Sequence, residues 1–193
     1  MARHTAHEAQ APEVVLASPR LVMRPLTRRH LRDVIALYDD AEVARFLKPL
    51  DREGHLQRLV ESEQMWAARG HGRSAIHEGD GGRFVGRGGL QYWPRFDEVE
   101  VTWALRRDAW GRGYATEAGG AWLRWGLERL GLPYVTALIA PENAASRAVA
   151  ERLGMTVLRT DEQHDRPVLV YARARADAGL RDLPELRPLS ARS

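Results

Sequence analysis

The sequence contains no cysteine, a single lysine and no long apolar run. Each absence excludes something. Without cysteine the chain can form neither a disulfide nor a thiolate metal site, and no cysteine can carry an acyl group. No stretch approaches the roughly 20 apolar residues that cross a bilayer. Residues 1–19 lack the apolar centre of a signal peptide, so a cytoplasmic protein without membrane contact is expected. The seven histidines show no metal-ligand spacing such as HExxH, and no metal is expected.

Lysine is so scarce that, of the 29 Lys and Arg residues, all but Lys48 are arginine. An arginine-biased codon usage accounts for this, because the net charge is only +3. The arginines also alternate with acids, as in Arg106-Arg107-Asp108, Glu128-Arg129 and Glu151-Arg152, instead of forming one basic face. No nucleic-acid partner is expected.

What remains is a chain of 193 residues that is 44% hydrophobic, enough for one ordinary core. Residues 1–18 and 175–193 read as flexible tails around a single domain at 19–174, since neither end carries a long apolar face. Between them the hydrophobic period keeps switching. Leu21–Leu26 reads as a strand, and Thr27 is placed to cap a helix with Leu31, Val34, Ile35 and Tyr38 on its apolar face. A second helix is expected over Asp51–Arg69, with Leu56, Leu59, Val60 and Trp66 at helical spacing and Gly70 as its stop. Ser74–Glu78 is strand-like. Phe84–Trp93 and Val99–Arg106 form an expected hairpin around Pro94–Asp97.

Beyond Gly113 the pattern turns helical over Thr116–Leu130. A strand at Tyr134–Ala140, a helix at Pro141–Leu153 and a last hairpin from Met155–Leu158 and Val168–Ala172 follow. An antiparallel half continued by one β-α-β crossover makes an α+β fold. Its mixed, mostly antiparallel sheet should have about six or seven strands with helices on both faces.

Two segments carry candidate chemistry. The run Trp110-Gly111-Arg112-Gly113-Tyr114-Ala115-Thr116 joins a strand to a helix start. Glycines there allow close backbone approach, and the free N–H groups of a first helical turn suit a pyrophosphate. Read alone the run could equally be a tight turn, since Thr116 stands where a dinucleotide fingerprint would place its third glycine. The second segment is Pro141-Glu142-Asn143-Ala144-Ala145-Ser146-Arg147, running on to Gly154-Met155 after another strand.

Together with Ser18-Pro19-Arg20-Leu21 and Glu100-Val101-Thr102-Trp103-Ala104-Leu105, these segments resemble the GCN5-related N-acetyltransferase (GNAT) superfamily over about Arg20 to Ala172. The branch most resembled acetylates the N-termini of ribosomal proteins. The resemblance implies acetyl-CoA as cosubstrate and a primary-amine acceptor, either a protein N-terminus or a small amine; homodimerisation is left open. It implies that backbone N–H groups of Arg112, Gly113, Tyr114, Ala115 and Thr116 hold the CoA pyrophosphate, with Trp110 and Gly111 leading in. Trp103 and Leu105 would pair with the pantetheine arm, and Asn143 would contact it.

For catalysis the resemblance assigns Glu100 as base and Ser146 as the group facing the departing thiolate. Strand alternation puts Glu100, Thr102 and Ala104 on one face, opposite Val99, Val101, Trp103 and Leu105. Glu98 is the competing carboxylate. Two departures stand out: Ala150 replaces the tyrosine that many members use as acid, and Trp110 replaces a frequent Gln or Arg. With no cysteine, direct transfer in a ternary complex is the expected route. The alternative is a catalytically weak CoA-sensing or scaffold module of the same fold.

Overall fold

Alternating apolar residues from Phe84 to Leu105 build the two longest central strands, and the rest of the sheet extends from them. The computed structural model describes residues 16–163 and 165–176, so all but residues 16–18 and 175–176 of the expected tails at 1–18 and 175–193 lie outside the described residues. The strands are β1 (Leu16–Ala17), β2 (Leu21–Pro25), β3 (Arg73–Glu78), β4 (Phe84–Trp93), β5 (Glu98–Leu105), β6 (Tyr134–Ile139), β7 (Thr156–Gln163) and β8 (Arg166–Ala174). The helices are α1 (Leu31–Asp39), α2 (Ala41–Ala44), α3 (Arg52–Arg69), α4 (Tyr114–Arg124) and α5 (Ala144–Arg152).

They form one eight-stranded sheet in the order β1-β2-β3-β4-β5-β6-β8-β7. Every neighbouring pair is antiparallel except β5 and β6. That parallel pair matches at a single position, Glu100 with Thr136, whereas β4 and β5 pair from Gly86–Leu105 to Trp93–Glu98. The sheet therefore splays open between β5 and β6, beyond Glu100. Backbone groups along that seam lack a neighbouring strand, which is an arrangement that invites an extended ligand.

The mixed, mostly antiparallel α+β architecture matches the expectation. The additional strand is β1: Leu16 and Ala17, placed in the N-terminal tail by composition, pair with Met23 and Val22. The last hairpin is longer than its apolar pattern, because β7 is an edge strand whose second half, Arg159 to Gln163, carries polar residues. The long helix also differs from its reading. It begins at Tyr114 and closes with a wider turn over Trp125–Arg129, where Leu130 N–H donates to Trp125 O at 3.0 Å. The α5 helix starts at Ala144 rather than Pro141, since Asn143 caps it.

The main core lies between the sheet and the α4/α5 layer, around Trp66, Trp122, Leu90, Val101 and Val135. The opposite face of β5 meets α1 and α2: Ala104 packs with Leu37 and Val43. The two faces of β5 thus serve different layers. That division positions the site.

Candidate active site

The cleft at the open seam measures about 570 Å³, and its wall includes Glu100, Thr102, Trp103, Asn143 and Ser146. Four side chains singled out in the sequence, on two strand faces and one helix start, therefore converge on one space. The Gly-rich run 110–116 is outside that wall and follows β5 after a short turn over Arg107–Ala109.

Glu100 is 7% exposed. One carboxylate oxygen accepts the indole N–H of Trp93 at 2.7 Å; the other accepts the backbone N–H of Leu138 at 3.2 Å, across the splay in β6. Burial pushes its pKa above the ordinary carboxylate value, opposed by those two hydrogen bonds and by the charges of Arg73 and Arg87. A carboxylate raised in this way is better matched to accept a proton near neutral pH. Glu98, the competing acid, is occupied: Arg159 grips it through two hydrogen bonds of 2.9 and 3.0 Å, and Tyr134 donates to it at 3.3 Å. It lies outside the cleft wall.

Trp103 Nε1 donates to Ser146 Oγ at 3.2 Å. Asn143 Oδ1 accepts the backbone N–H of Ser146 at 3.1 Å, which is the N-cap of α5. The cap occupies the amide oxygen and leaves the NH2 group of Asn143 for other partners.

The turn before α4 suits a phosphate for local reasons. Gly111 and Gly113 have φ of 72° and 78°, a left-handed conformation that side chains rarely adopt. A Cβ on Gly111 would meet nothing within 4 Å, so the backbone there is open to approach. The turn is also braced. Arg20 Nη1 donates to Arg112 O at 2.9 Å, and the guanidinium groups of Arg20 and Arg112 each lie 4.7 Å from the centre of the Tyr114 ring. Glu117 in the first turn of α4 accepts from Ser18 Oγ at 2.7 Å and from Arg20 N at 2.9 Å. Trp110 is 47% exposed, and its indole N–H is spent on Leu105 O at 2.9 Å. Thus the carbonyl of Leu105 already has a partner, while Val99 O, also on the β6 side, takes Thr136 Oγ1 at 3.3 Å. Alternation leaves the backbone of Trp103 at the same edge.

Comparison with known proteins fits this geometry. The sequence model of the acetyltransferase (GNAT) domain matches residues 20–156. The chain belongs to the GNAT acetyltransferase family. An acetyltransferase of Agrobacterium tumefaciens is 30% identical, with a TM-score of 0.71 over 84% of this chain and 95% of that one. YkkB, an uncharacterized protein of Bacillus subtilis, is 29% identical over 82% of this chain and 94% of its own length. The ribosomal L7/L12 α-N-protein acetyltransferase RimL, solved in complex with coenzyme A, shares the fold at 18% identity. Its TM-score is 0.72 over 86% of this chain and 100% of that one.

As a GNAT protein the chain keeps its two departures. Ala150 is fully buried in the core and is not part of the cleft wall. Among the described residues no group of three or more His, Asp or Glu is placed to hold a metal. Sequence reading missed part of the cleft wall: Tyr38, Arg58, Arg73 and Arg87. The available signal was the charge of Arg87 in the otherwise apolar and glycine-rich strand β4, where a buried cation needs a reason.

Proposed function

We propose that the protein transfers the acetyl group of acetyl-CoA to a primary amine, a protein N-terminus or a small amine, by direct attack in a ternary complex. The observation that carries this reading is the convergence of Glu100 and Ser146 on one cleft at the splay of β5 from β6. The Gly111–Thr116 turn and the first turn of α4 offer N–H groups to the CoA pyrophosphate, and the open backbone beside Trp103 offers strand-like pairing to its arm.

Bound acetyl-CoA supplies an activated acyl group, whose C–S bond breaks as the amine nitrogen forms an amide bond to the acyl carbon. The residues divide the proton work. An α-amine has a pKa near 8 and a lysine amine near 10.4, so the attacking nitrogen must lose a proton. Glu100 accepts it, directly or through water. Ser146 faces the departing sulfur. The indole N–H of Trp103 can only donate, so it occupies an oxygen lone pair of Ser146 and leaves the hydroxyl proton for another acceptor.

The buried Ala150, which cannot supply a proton, favours a second reading: a CoA-sensing or scaffold module with weak turnover. Thiol release from acetyl-CoA against an amine panel separates the two. Release that depends on amine supports the transferase. CoA binding by calorimetry without release from any amine supports the module.

A further inference from the structure

The cleft wall carries more positive charge than the transfer reading uses. Arg73 at the start of β3 stands opposite Gly89 of β4, and Gly89 stands opposite Thr102 of β5. Arg87 stands opposite Ala104. Cross-strand partners share a face, and so do alternate residues of a strand. Arg73, Arg87, Thr102 and Glu100 therefore lie on the same side of the sheet, and all four border the cleft.

These cations are poorly compensated. Among the described residues, the ion pairs include neither Arg73 nor Arg87. Arg87 is buried and donates to Tyr38 Oη at 2.6 Å. Burial alone would raise the pKa of that phenol, but the charges of Arg87, Arg73 and Arg58 and the hydrogen bond draw it below its ordinary value, as an excess of cations would. Arg73 Nε is enclosed and has no hydrogen-bond partner, and the same is true of Thr102 Oγ1. Burial, followed by the charge of Arg87, draws the Arg73 pKa down to about 10. Arg58, on the α3 side, adds a third cation, whose ion pair among the described residues is with Glu61 at 3.6 Å. Among the described residues, the buried carboxylate of this wall is Glu100, whose charge acts on Arg73 but which makes its hydrogen bonds with Trp93 and Leu138. The exposed lining residues Lys48, Arg166, Glu142 and Asp165 balance in formal charge, and the inner ones do not. Enclosed guanidinium groups without a directly paired carboxylate are costly unless an anion completes them.

We infer that the acceptor amine carries an anionic group, a carboxylate or a phosphate, which docks against Arg73 and Arg87 while its amine faces Glu100. The inference rests on the acetyl-transfer reading and narrows it. The planar fork of a guanidinium matches either anion through paired hydrogen bonds. Polycationic acceptors such as polyamines are disfavoured, since they would bring like charge to an already positive wall. The same anion can come from a free amino acid or a phosphorylated amine, or from an acidic side chain next to a peptide N-terminus.

Thiol release from acetyl-CoA with matched acceptors tests this. One arm compares glutamate, β-alanine and phosphoethanolamine with glutamate diamide, β-alaninamide and ethanolamine. A second compares short peptides bearing Asp or Ala at position two, and spermidine is the polycationic control. The expected result is at least about a 10-fold preference in kcat/KM for the anionic member of a pair, the size of one charge-assisted hydrogen bond. Preference in the first arm alone identifies a small-molecule anion, and preference in the second identifies an acidic N-terminus. Arg87→Gln and Arg73→Gln should bring the anionic-to-neutral ratio close to one. Arg58→Gln, on the helix side, should lower it part of the way if the strand variants do not fold. Amides or spermidine turning over as well as the carboxylates would overturn the inference while leaving acetyl transfer intact. If no amine is acetylated, the transfer reading fails and thermal unfolding judges the anion site. A Tm raised by phosphoethanolamine but not ethanolamine, and lost in Arg87→Gln, upholds it; no such rise overturns it.

Discussion

The Trp103 indole N–H donates to the Ser146 hydroxyl oxygen at 3.2 Å, tying the open edge of β5 to the first turn of α5. Because indole is donor-only, this contact fixes which role Ser146 has left to play. Ser146→Ala should lower kcat by about 10- to 100-fold, the range for losing a hydrogen bond to a charged group. Trp103→Phe should act through the same hydroxyl and cost less. The two changes in one protein should be less than additive, since they share a contact, and a double-mutant cycle on kcat reads this out.

Glu100 governs the pH response. Its pKa is raised by burial, so kcat/KM should rise with pH through an inflexion above the ordinary carboxylate value of 4.5. Glu100→Gln should remove that inflexion and lower kcat by about 10²- to 10⁴-fold, the usual worth of a positioned base. The stability sign is opposite to that of an ordinary surface carboxylate. A folded-state pKa above the unfolded one favours the protonated carboxyl in the fold, so this contribution is present at low pH and declines as pH rises through the folded value. Glu98, held by Arg159 and Tyr134, is a contrast: Glu98→Gln should lower Tm and leave the inflexion in place.

The clamp at Glu117 should matter to both stability and CoA. Burial alone would raise its pKa, but hydrogen bonds from Ser18 and Arg20 outweigh this and hold it below the ordinary value. That contribution is present above about pH 4.5 and lost as pH falls through the lower folded value. Glu117→Ala removes the acceptor of Arg20 N and Arg20 Nε and the shorter of the two bonds of Ser18 Oγ, which keeps Leu21 O at 3.3 Å. A loss of about 1–2 kcal/mol is expected, or a Tm lower by about 2–8 °C for a domain of this size. CoA affinity by calorimetry should fall with it, because Arg20 also holds the Arg112 carbonyl.

Four histidines set the acid limit. His30, His55, His71 and His77 each have a pKa lowered from 6.5, in every case chiefly by burial. For a base with a depressed folded pKa, the unfolded chain binds more protons below pH 6.5, so stability is full above that pH and falls on acidification. Tm should therefore decline between pH 7 and pH 5. His77→Gln should reduce the slope, since His77 Nδ1 is buried without a partner.

Most of the fold could be read from the sequence because alternation and helical spacing were strong where one face is buried. Phe84–Trp93 was legible to the residue. Two of the misses were places where burial gives no pattern: the two-residue edge strand at Leu16–Ala17, and the polar half of β7. The site divides in the same way. Asn143, Ser146 and Glu100 stood in local motifs, and the structure gathers them at one cleft with Trp103. Arg73, Arg87 and Tyr38 come from β3, β4 and α1, and only strand pairing and helix packing bring them together. Their meeting is a tertiary fact that no local spacing encodes.

The most direct test of the account follows acetyl-CoA consumption and product mass with the purified protein, with and without amine. Thiol release that requires a primary amine, yields the N-acetylated amine stoichiometrically and drops by about 10²-fold or more in Glu100→Gln is the expected result. An acetylated protein accumulating without acceptor, or full activity in Glu100→Gln, would contradict it.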